Sequence, residues 1–355
     1  NTLDEISISL LSFGAYSLTN QISWQESGVP FITAENVKEG RIDYSNIRFI
    51  SEKMDEILLK SRVHPGEVLL AMSGKVGDSA VAYNIPKKLN SNQDIVKIKL
   101  KGEFSPFFLA TFLNSKYGRL QVMRLPVGSV QQHIFLWQTK TILVPILENK
   151  VVAEVDNLYK NSINELEKSK NYFQEAENLL LEELSLNAFK LESYLSYVIN
   201  FSDVQTANRM DAEYFQPKYD KLISKLKTQN SKPLLEIIEN VPAVFNPSGQ
   251  PEQIFKYVEL SNINSSIGVI DGYSEVLGKD APSRAKRVLK TGDVIVSSVE
   301  GALEKAALVD NEQEGYLAST GFFQLRSQEI LSEALLVLAK SLVIQMQLKK
   351  QCAGT

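Results

Sequence analysis

The 355-residue sequence holds one cysteine, Cys352. That excludes an internal disulfide framework and any zinc site built on cysteines. It suits a reducing compartment, so a cytoplasmic protein is expected. Histidine is nearly as scarce: His64 and His133 are the only two, and they give no metal-ligand spacing. The longest apolar stretch, residues 334–344, is broken by Lys340 and Ser341 and is too short to span a bilayer, so no membrane partner is expected. No basic start and no apolar leader open the chain. The beginning at Asn1, without methionine, and the stop at Gly354-Thr355 read as ends cut from a longer polypeptide. Positive charge is also short: 38 Lys and Arg stand against 42 Asp and Glu, a net of −4.

Enzyme signatures are missing as well. A methyltransferase acting on exocyclic amines needs a polar-Pro-Pro-aromatic loop, and Asn246-Pro247-Ser248 lacks both the second proline and the aromatic. A phosphate loop needs Gly where Leu69 stands and Ser or Thr where Val76 stands, around Ser73-Gly74-Lys75. His133 has no serine or cysteine elbow beside it. No cluster of carboxylates with a lysine marks a nuclease site. This chain is therefore expected not to be an enzyme, and to bind neither metal nor cofactor.

What is present is a repeat. Pro30-Phe31-Ile32-Thr33-Ala34-Glu35-Asn36-Val37 parallels Lys256-Tyr257-Val258-Glu259-Leu260-Ser261-Asn262-Ile263. His64-Pro65-Gly66-Glu67-Val68-Leu69-Leu70 parallels Lys290-Thr291-Gly292-Asp293-Val294-Ile295-Val296. In the second pair a glycine turn feeds an acidic residue and then a strand. Helix-like stretches follow in both halves, at residues 106–114 and 332–341. An offset of 226 holds at Asn36/Asn262, Gly66/Gly292 and Gly128/Gly354. The spacing predicts an α+β unit built twice.

Between the copies lies a heptad pattern. Val152, Tyr159, Leu166, Phe173 and Leu180 recur every seven residues, with Val155, Ile163, Ala176 and Leu184 set three or four residues after members of that series. This predicts a long helix with a coiled-coil seam that wants a partner helix. Forty residues of helix would make a rod of about 60 Å. The acidity is concentrated here: residues 1–146 carry a net +3, residues 147–200 a net −5 and residues 201–355 a net −2. The first unit is thus the one most able to offer phosphate a basic face.

Unit, heptad helix, unit: this order resembles the specificity (S) subunit of type I restriction–modification systems. Four stretches carry the resemblance besides the paired strands. They are residues 28–37, Val144-Pro145-Ile146-Leu147, the run Val151-Val152-Ala153-Glu154-Val155-Asp156, and Arg209-Met210-Asp211-Ala212-Glu213-Tyr214-Phe215. The resemblance implies two target recognition domains, residues 1–146 and 191–355, separated by a spacer helix over residues 147–190. A second helix that would complete an antiparallel coiled coil and hold the domains apart is missing from this chain. It implies sequence-specific binding of double-stranded DNA with a bipartite target, and docking of methyltransferase (M) subunits and restriction (R) motor subunits. S-adenosylmethionine, ATP and Mg are then expected on those partners and not on this chain.

In such a unit, loops carry Asn, Gln, Arg, Lys and Ser to base edges and phosphates. The first-domain candidates are Asn36, Lys38, Arg41, Ser73, Lys75, Lys87, Lys88, Ser129, Gln131, Gln132 and His133. Their second-domain counterparts are Asn262, Asn264, Arg284, Lys286, Arg287, Ser298 and Thr355. Two alternatives stay open. The chain could be the recognition region of a fused type II methyltransferase–restriction endonuclease, or a coiled-coil scaffold whose paired domains bind proteins.

Overall fold

The computed structural model describes residues 1–12, 21–126, 133–187, 189, 192–229 and 231–352. It is a mixed α and β structure with a long central helix. The chain divides into two compact units, residues 1–167 and 168–355.

The first unit runs α1 (Leu3–Ile6), β1 (Ser7–Leu11), β2 (Val29–Ile32), β3 (Val37–Lys38), β4 (Arg41–Ile42), β5 (Arg48–Ile50), α2 (Glu52–Ile57), β6 (Val68–Ala71), β7 (Ser79–Val81), β8 (Asn90–Ser91), β9 (Ile95–Leu100), α3 (Pro106–Asn114), α4 (Lys116–Met123) and α5 (Leu136–Thr139). One sheet has the order β1-β9-β6-β7 and another β5-β2-β8. Strand β6 is buried along its whole length, because its two faces feed two cores. Val68 and Leu70 pack into one with Leu109, Leu113 and Val122, while Leu69 and Ala71 pack into another with Ile32 and Val37. A short, uninterrupted apolar run of this kind is what a strand covered on both sides requires.

α6 (Asn149–Glu183) is one continuous helix of 35 residues, about 52 Å long at the usual rise. The second unit then runs α7 (Phe201–Ala207), α8 (Pro217–Lys227), β10 (Glu239–Asn240), β11 (Ile254–Val258), β12 (Ile263–Asn264), β13 (Val269–Ile270), β14 (Ser274–Leu277), β15 (Ala285–Val288), β16 (Val294–Ser297), β17 (Ala306–Leu308), β18 (Leu317–Ser319), β19 (Phe322–Arg326), α9 (Ser332–Lys340) and α10 (Leu342–Gln351). Its sheets are ordered β10-β19-β16-β17-β13-β12 and β14-β11-β18-β15.

The repeat reaches individual hydrogen bonds. β2 pairs parallel with β8, and β11 parallel with β18. Gly66 and Gly292 sit at φ +84 and +87, a left-handed turn that glycine adopts without strain. The Gly66 N–H donates to Ala82 O and the Gly292 N–H to Val309 O, both at 2.9 Å. Glu67 and Asp293 each fold a carboxylate back to accept from a backbone N–H three residues earlier, that of His64 at 2.8 Å and that of Lys290 at 3.0 Å. The acidic residue after the glycine therefore closes the turn that launches the buried strand.

Beneath these turns the copies diverge. The residue of β9 opposite Leu69 is Lys97, and the residue of β19 opposite Ile295 is Gln324. Gln324 donates to Asp293 at 2.6 Å, and Arg326 holds the same carboxylate with two bonds of 2.7 and 2.9 Å. Lys97 is 1% exposed, and burial lowers its ammonium from the ordinary 10.5 to about 8, with Glu67 opposing the shift.

The heptad helix is where expectation and structure part. Tyr159 is buried and Val152, Leu166, Phe173 and Leu180 are half-buried, so the predicted seam is the covered side of α6. Its cover, however, comes from the units themselves. Tyr159 packs in the first unit's core, its ring 5.3 Å from that of Phe107, and its hydroxyl accepts the Val81 N–H at 2.9 Å. Phe173 packs against the second unit's core, with Lys340 Nζ 3.8 Å from its ring centre. The unspent apolar face lies one residue earlier: Val151, Leu158, Tyr172 and Leu179 are 43, 64, 68 and 59% exposed.

Two outcomes are expected. Tyr159→Phe should cost about 1 kcal/mol, the usual net worth of a buried hydrogen bond, while Tyr172→Phe should leave the urea midpoint unchanged. For Lys97, the unfolded chain keeps its proton up to the ordinary value while the folded chain gives it up near pH 8, so stability rises with pH between those limits. The wild type should accordingly gain stability relative to Lys97→Met when urea unfolding is repeated from pH 7 to pH 9.5. A difference that stays constant over that range would show that Lys97 keeps its proton in the fold.

Candidate nucleic-acid interface

The first unit carries a polar cleft of about 720 Å³ beside β2 and β5, lined by Thr33, Asn36, Lys38, Asp43, Asn46, Arg48, Ser73, Gly74 and Asn92 among others. Three of the sequence candidates meet here: Asn36, Lys38 and Ser73. They play different parts. Asn36 is buried, its Oδ1 accepting from Thr33 N at 2.8 Å and its Nδ2 donating to Asp43 O at 2.9 Å. Its amide holds the turn, as does that of Asn262, whose Oδ1 accepts from Glu259 N at 2.8 Å. Asn264 is likewise engaged, accepting from the Ser266 hydroxyl at 2.7 Å and donating to Asp271 at 3.4 Å. Asn36, buried with both ends of its amide bonded, is thus a turn-building residue, while Asn262 and Asn264 hold turns and stay part-exposed.

The remaining candidates divide by exposure. Lys75 and Lys87 are exposed, Lys38 and Arg41 half-buried. Lys88 is half-buried and ion-paired with Glu52. Ser73 bridges to His133, which places that histidine on the rim of the Ser73-Gly74-Lys75 loop. In the second unit Arg284, Lys286 and Ser298 are exposed, and the Ser298 hydroxyl donates to Gly321 O at 3.0 Å. Arg287 corrects an expectation. It alternates inward from its neighbours on β15, is 8% exposed and donates to the Val241 carbonyl; burial pushes its guanidinium below the ordinary value. The basic run is therefore two surface cations, not three. Ser129, Gln131, Gln132 and Thr355 lie outside the described residues.

Strand pairing brings together residues that the sequence reading passed over. β2 and β5 set Phe31 opposite Arg48, and the Arg48 guanidinium lies 5.0 Å from the centre of the Trp24 ring, which stands edge-on to Phe31 at 5.4 Å. In the second unit Lys256 of β11 lies 4.6 and 4.9 Å from the ring centres of Tyr273 and Tyr316 and donates to the Tyr316 hydroxyl at 3.0 Å. That bond, with the two tyrosines around it, holds the Lys256 ammonium above its ordinary value. Each unit thus keeps a cation on aromatic rings beside the same sheet. Such a cation is positioned before any ligand arrives, so less side-chain freedom is lost when it meets an anion. No local motif announces it, since Lys256 and Tyr316 are sixty residues apart.

The second unit's cavity of about 750 Å³ is of another kind. Its charged lining is Asp310, Glu329 and Glu333 with no cation, whereas the first unit's cleft sets Lys38 and Arg48 among Glu35, Asp43 and Asp94. Among the described residues no group of three His, Cys, Asp or Glu side chains could hold a metal ion. Among them, too, no helix is long and apolar enough to cross a membrane.

No protein-family model and no curated protein matches the chain. Solved structures do match. The HsdS subunit from Thermoanaerobacter tengcongensis is similar at 36% identity over 29% of this chain and 27% of that one, with a TM-score of 0.27. A structure described as the basis of complex assembly and conformational transition of the type I R-M system is similar at 36% identity over 30% of this chain and 27% of its own, with a TM-score of 0.28. The type I restriction-modification system S subunit from M. genitalium aligns over 99% of this chain and 79% of that one, at 16% identity and a TM-score of 0.35. The matches to the first two span about a quarter of those chains' own length.

The geometry separates two kinds of site residue. Asn36→Ala strips three bonds from a buried turn and should lower stability by about 1–2 kcal/mol. Arg48→Ala removes an exposed cation and should leave the urea midpoint within about 0.5 kcal/mol of wild type.

Proposed function

We propose that this chain is the DNA-specificity subunit of a type I restriction–modification complex, reading its target without acting on it chemically. The observation that carries the reading is the duplication: one α+β unit is built twice, to the level of matching turn hydrogen bonds, and a single uninterrupted helix joins the copies in sequence. Two half-sites on a duplex call for two readers of one architecture whose surfaces differ. The aromatic-held cations, Arg48 on Trp24 and Lys256 on two tyrosines, fit that requirement: corresponding sheets of the two copies carry their cations at different positions, Arg48 on β5 and Lys256 on β11.

In this reading residues 1–146 and 191–355 are the target recognition domains and residues 147–190 the spacer. Lys38, Lys75, Lys87, Arg284 and Lys286 meet phosphates. Ser73, Ser298 and His133 face base edges. The exposed stripe Val151, Leu158, Tyr172 and Leu179 takes the partner helix of a coiled coil. Methyltransferase subunits dock on the assembly, hold S-adenosylmethionine and methylate adenine N6 after the base leaves the stack. Motor subunits supply ATP and Mg chemistry.

The test is to co-express the intact gene with its neighbouring methyltransferase gene and to map modified adenines across the host genome. A split motif with a fixed gap, lost when this gene is deleted, is the expected result. A continuous motif made by this gene alone would replace the reading with a fused type II enzyme, and no dependent methylation would leave a protein-binding scaffold. On duplex carrying the motif, Arg48→Ala should weaken binding and reduce the slope of log affinity against log salt by about 1.

A further inference from the structure

The duplication allows each surface of one unit to be compared with its counterpart. Helices α4 and α10 are the same helix in two copies. Each follows a serine whose N–H closes the preceding helix: Ser115 N donates to Thr111 O and Phe112 O, and Ser341 N to Val337 O and Leu338 O. Counted from that shared start, Tyr117, Leu120 and Arg124 stand where Val343, Met346 and Lys350 stand.

The two faces have opposite fates. Val343 and Met346 are 4 and 6% exposed, packed in one cluster with Tyr219 and Leu222 of α8. Lys350 Nζ meets Asp220 of α8 at 2.6 Å. Tyr117 and Leu120 are 74 and 57% exposed, and Arg124 is exposed beside them. The inner side of the helix is alike in both, since Val122 and Leu348 each join the core below. The two helices therefore share their inner side and differ in whether the outer face is covered. An apolar pair with a cation one turn on is the half-interface that α8 completes in the second unit.

We propose that Tyr117, Leu120 and Arg124 form a docking face for an amphipathic helix of the α8 pattern. Such a helix has an aromatic residue, a leucine three positions on, and a carboxylate next to the aromatic that reaches Arg124. The complement is specific in charge: α8 offers Asp220 to Lys350, so the occupant offers an acid to Arg124. Spacing i, i+3, i+7 on α4 gives one stripe, the geometry that helix-in-groove recognition uses.

The probe is a fluorescein-labelled peptide of this chain's own residues 211–229, titrated with the whole chain and followed by anisotropy. Saturable binding is expected, lost in the Tyr117→Asp, Leu120→Asp double variant, whose altered side chains are exposed and whose fold is checked by circular dichroism. Arg124→Glu alone should weaken binding about fivefold, the scale of a surface ion pair, and a peptide carrying Asp220→Lys should recover it. Equal binding to wild type and double variant, or no binding, overturns the proposal. So does a concentration-dependent dimer in sedimentation that Tyr117→Asp dissolves, since the face would then pair two copies of the chain.

Discussion

Strands β6 and β16 are buried on both faces, and each is launched by a glycine turn that an acidic side chain closes. Everything else in a unit is arranged around that strand. Its outer faces must be covered, so helices pack on one side and the short strands of the second sheet on the other. Its start must be sharp, so Gly66 and Gly292 take left-handed backbone and Glu67 and Asp293 satisfy the turn's N–H groups. A carboxylate in that position is partly desolvated and needs partners. The two units differ beneath it: the Gln324–Arg326 pair bonds Asp293, whereas Lys97, below Glu67, donates to the Ser91 hydroxyl at 3.4 Å, which shows how much the interior varies once the turn is secured.

The same constraint decides where recognition can happen. With the central strand buried, exposed polar groups are left to the edge sheet and the loops over it. There the pairing of β2 with β5, and of β11 with β14, sets cations beside rings. A guanidinium on indole and an ammonium between two phenols are different surfaces on one scaffold. Variation in those side chains leaves the core packing unchanged, because Arg48, Trp24 and Tyr273 are exposed.

α6 shows that a heptad pattern reports burial without naming the partner. The seam through Tyr159 and Phe173 is real, yet its ring packing and its hydrogen bond to Val81 belong to the units. The neighbouring stripe, one position earlier, stays exposed. Around a helix, one residue is a turn of 100°, so the exposed stripe is a separate face that the heptad series does not include.

The sequence by itself determined the duplication, the α+β character, the glycine turns and the start of the long helix, which ends at Glu183, seven residues before the expected 190. These follow from period, turn chemistry and spacing, which can be read along the chain without knowing which residues meet in space. It also narrowed the candidate surface to loops in both halves, and Lys38, Ser73 and His133 stand close to where those loops meet. Tertiary structure decided the rest. Whether Asn36 and Asn262 face a ligand or hold a turn depends on where their amides find partners. Arg287 goes inward and Lys286 outward because a strand alternates. Arg48 reaches Trp24, and Lys256 reaches Tyr316, only after distant strands pair, and the cover on α10 that α4 lacks is visible only when both faces exist in three dimensions. Side-chain direction and long-range contact are set by packing, which no local pattern encodes.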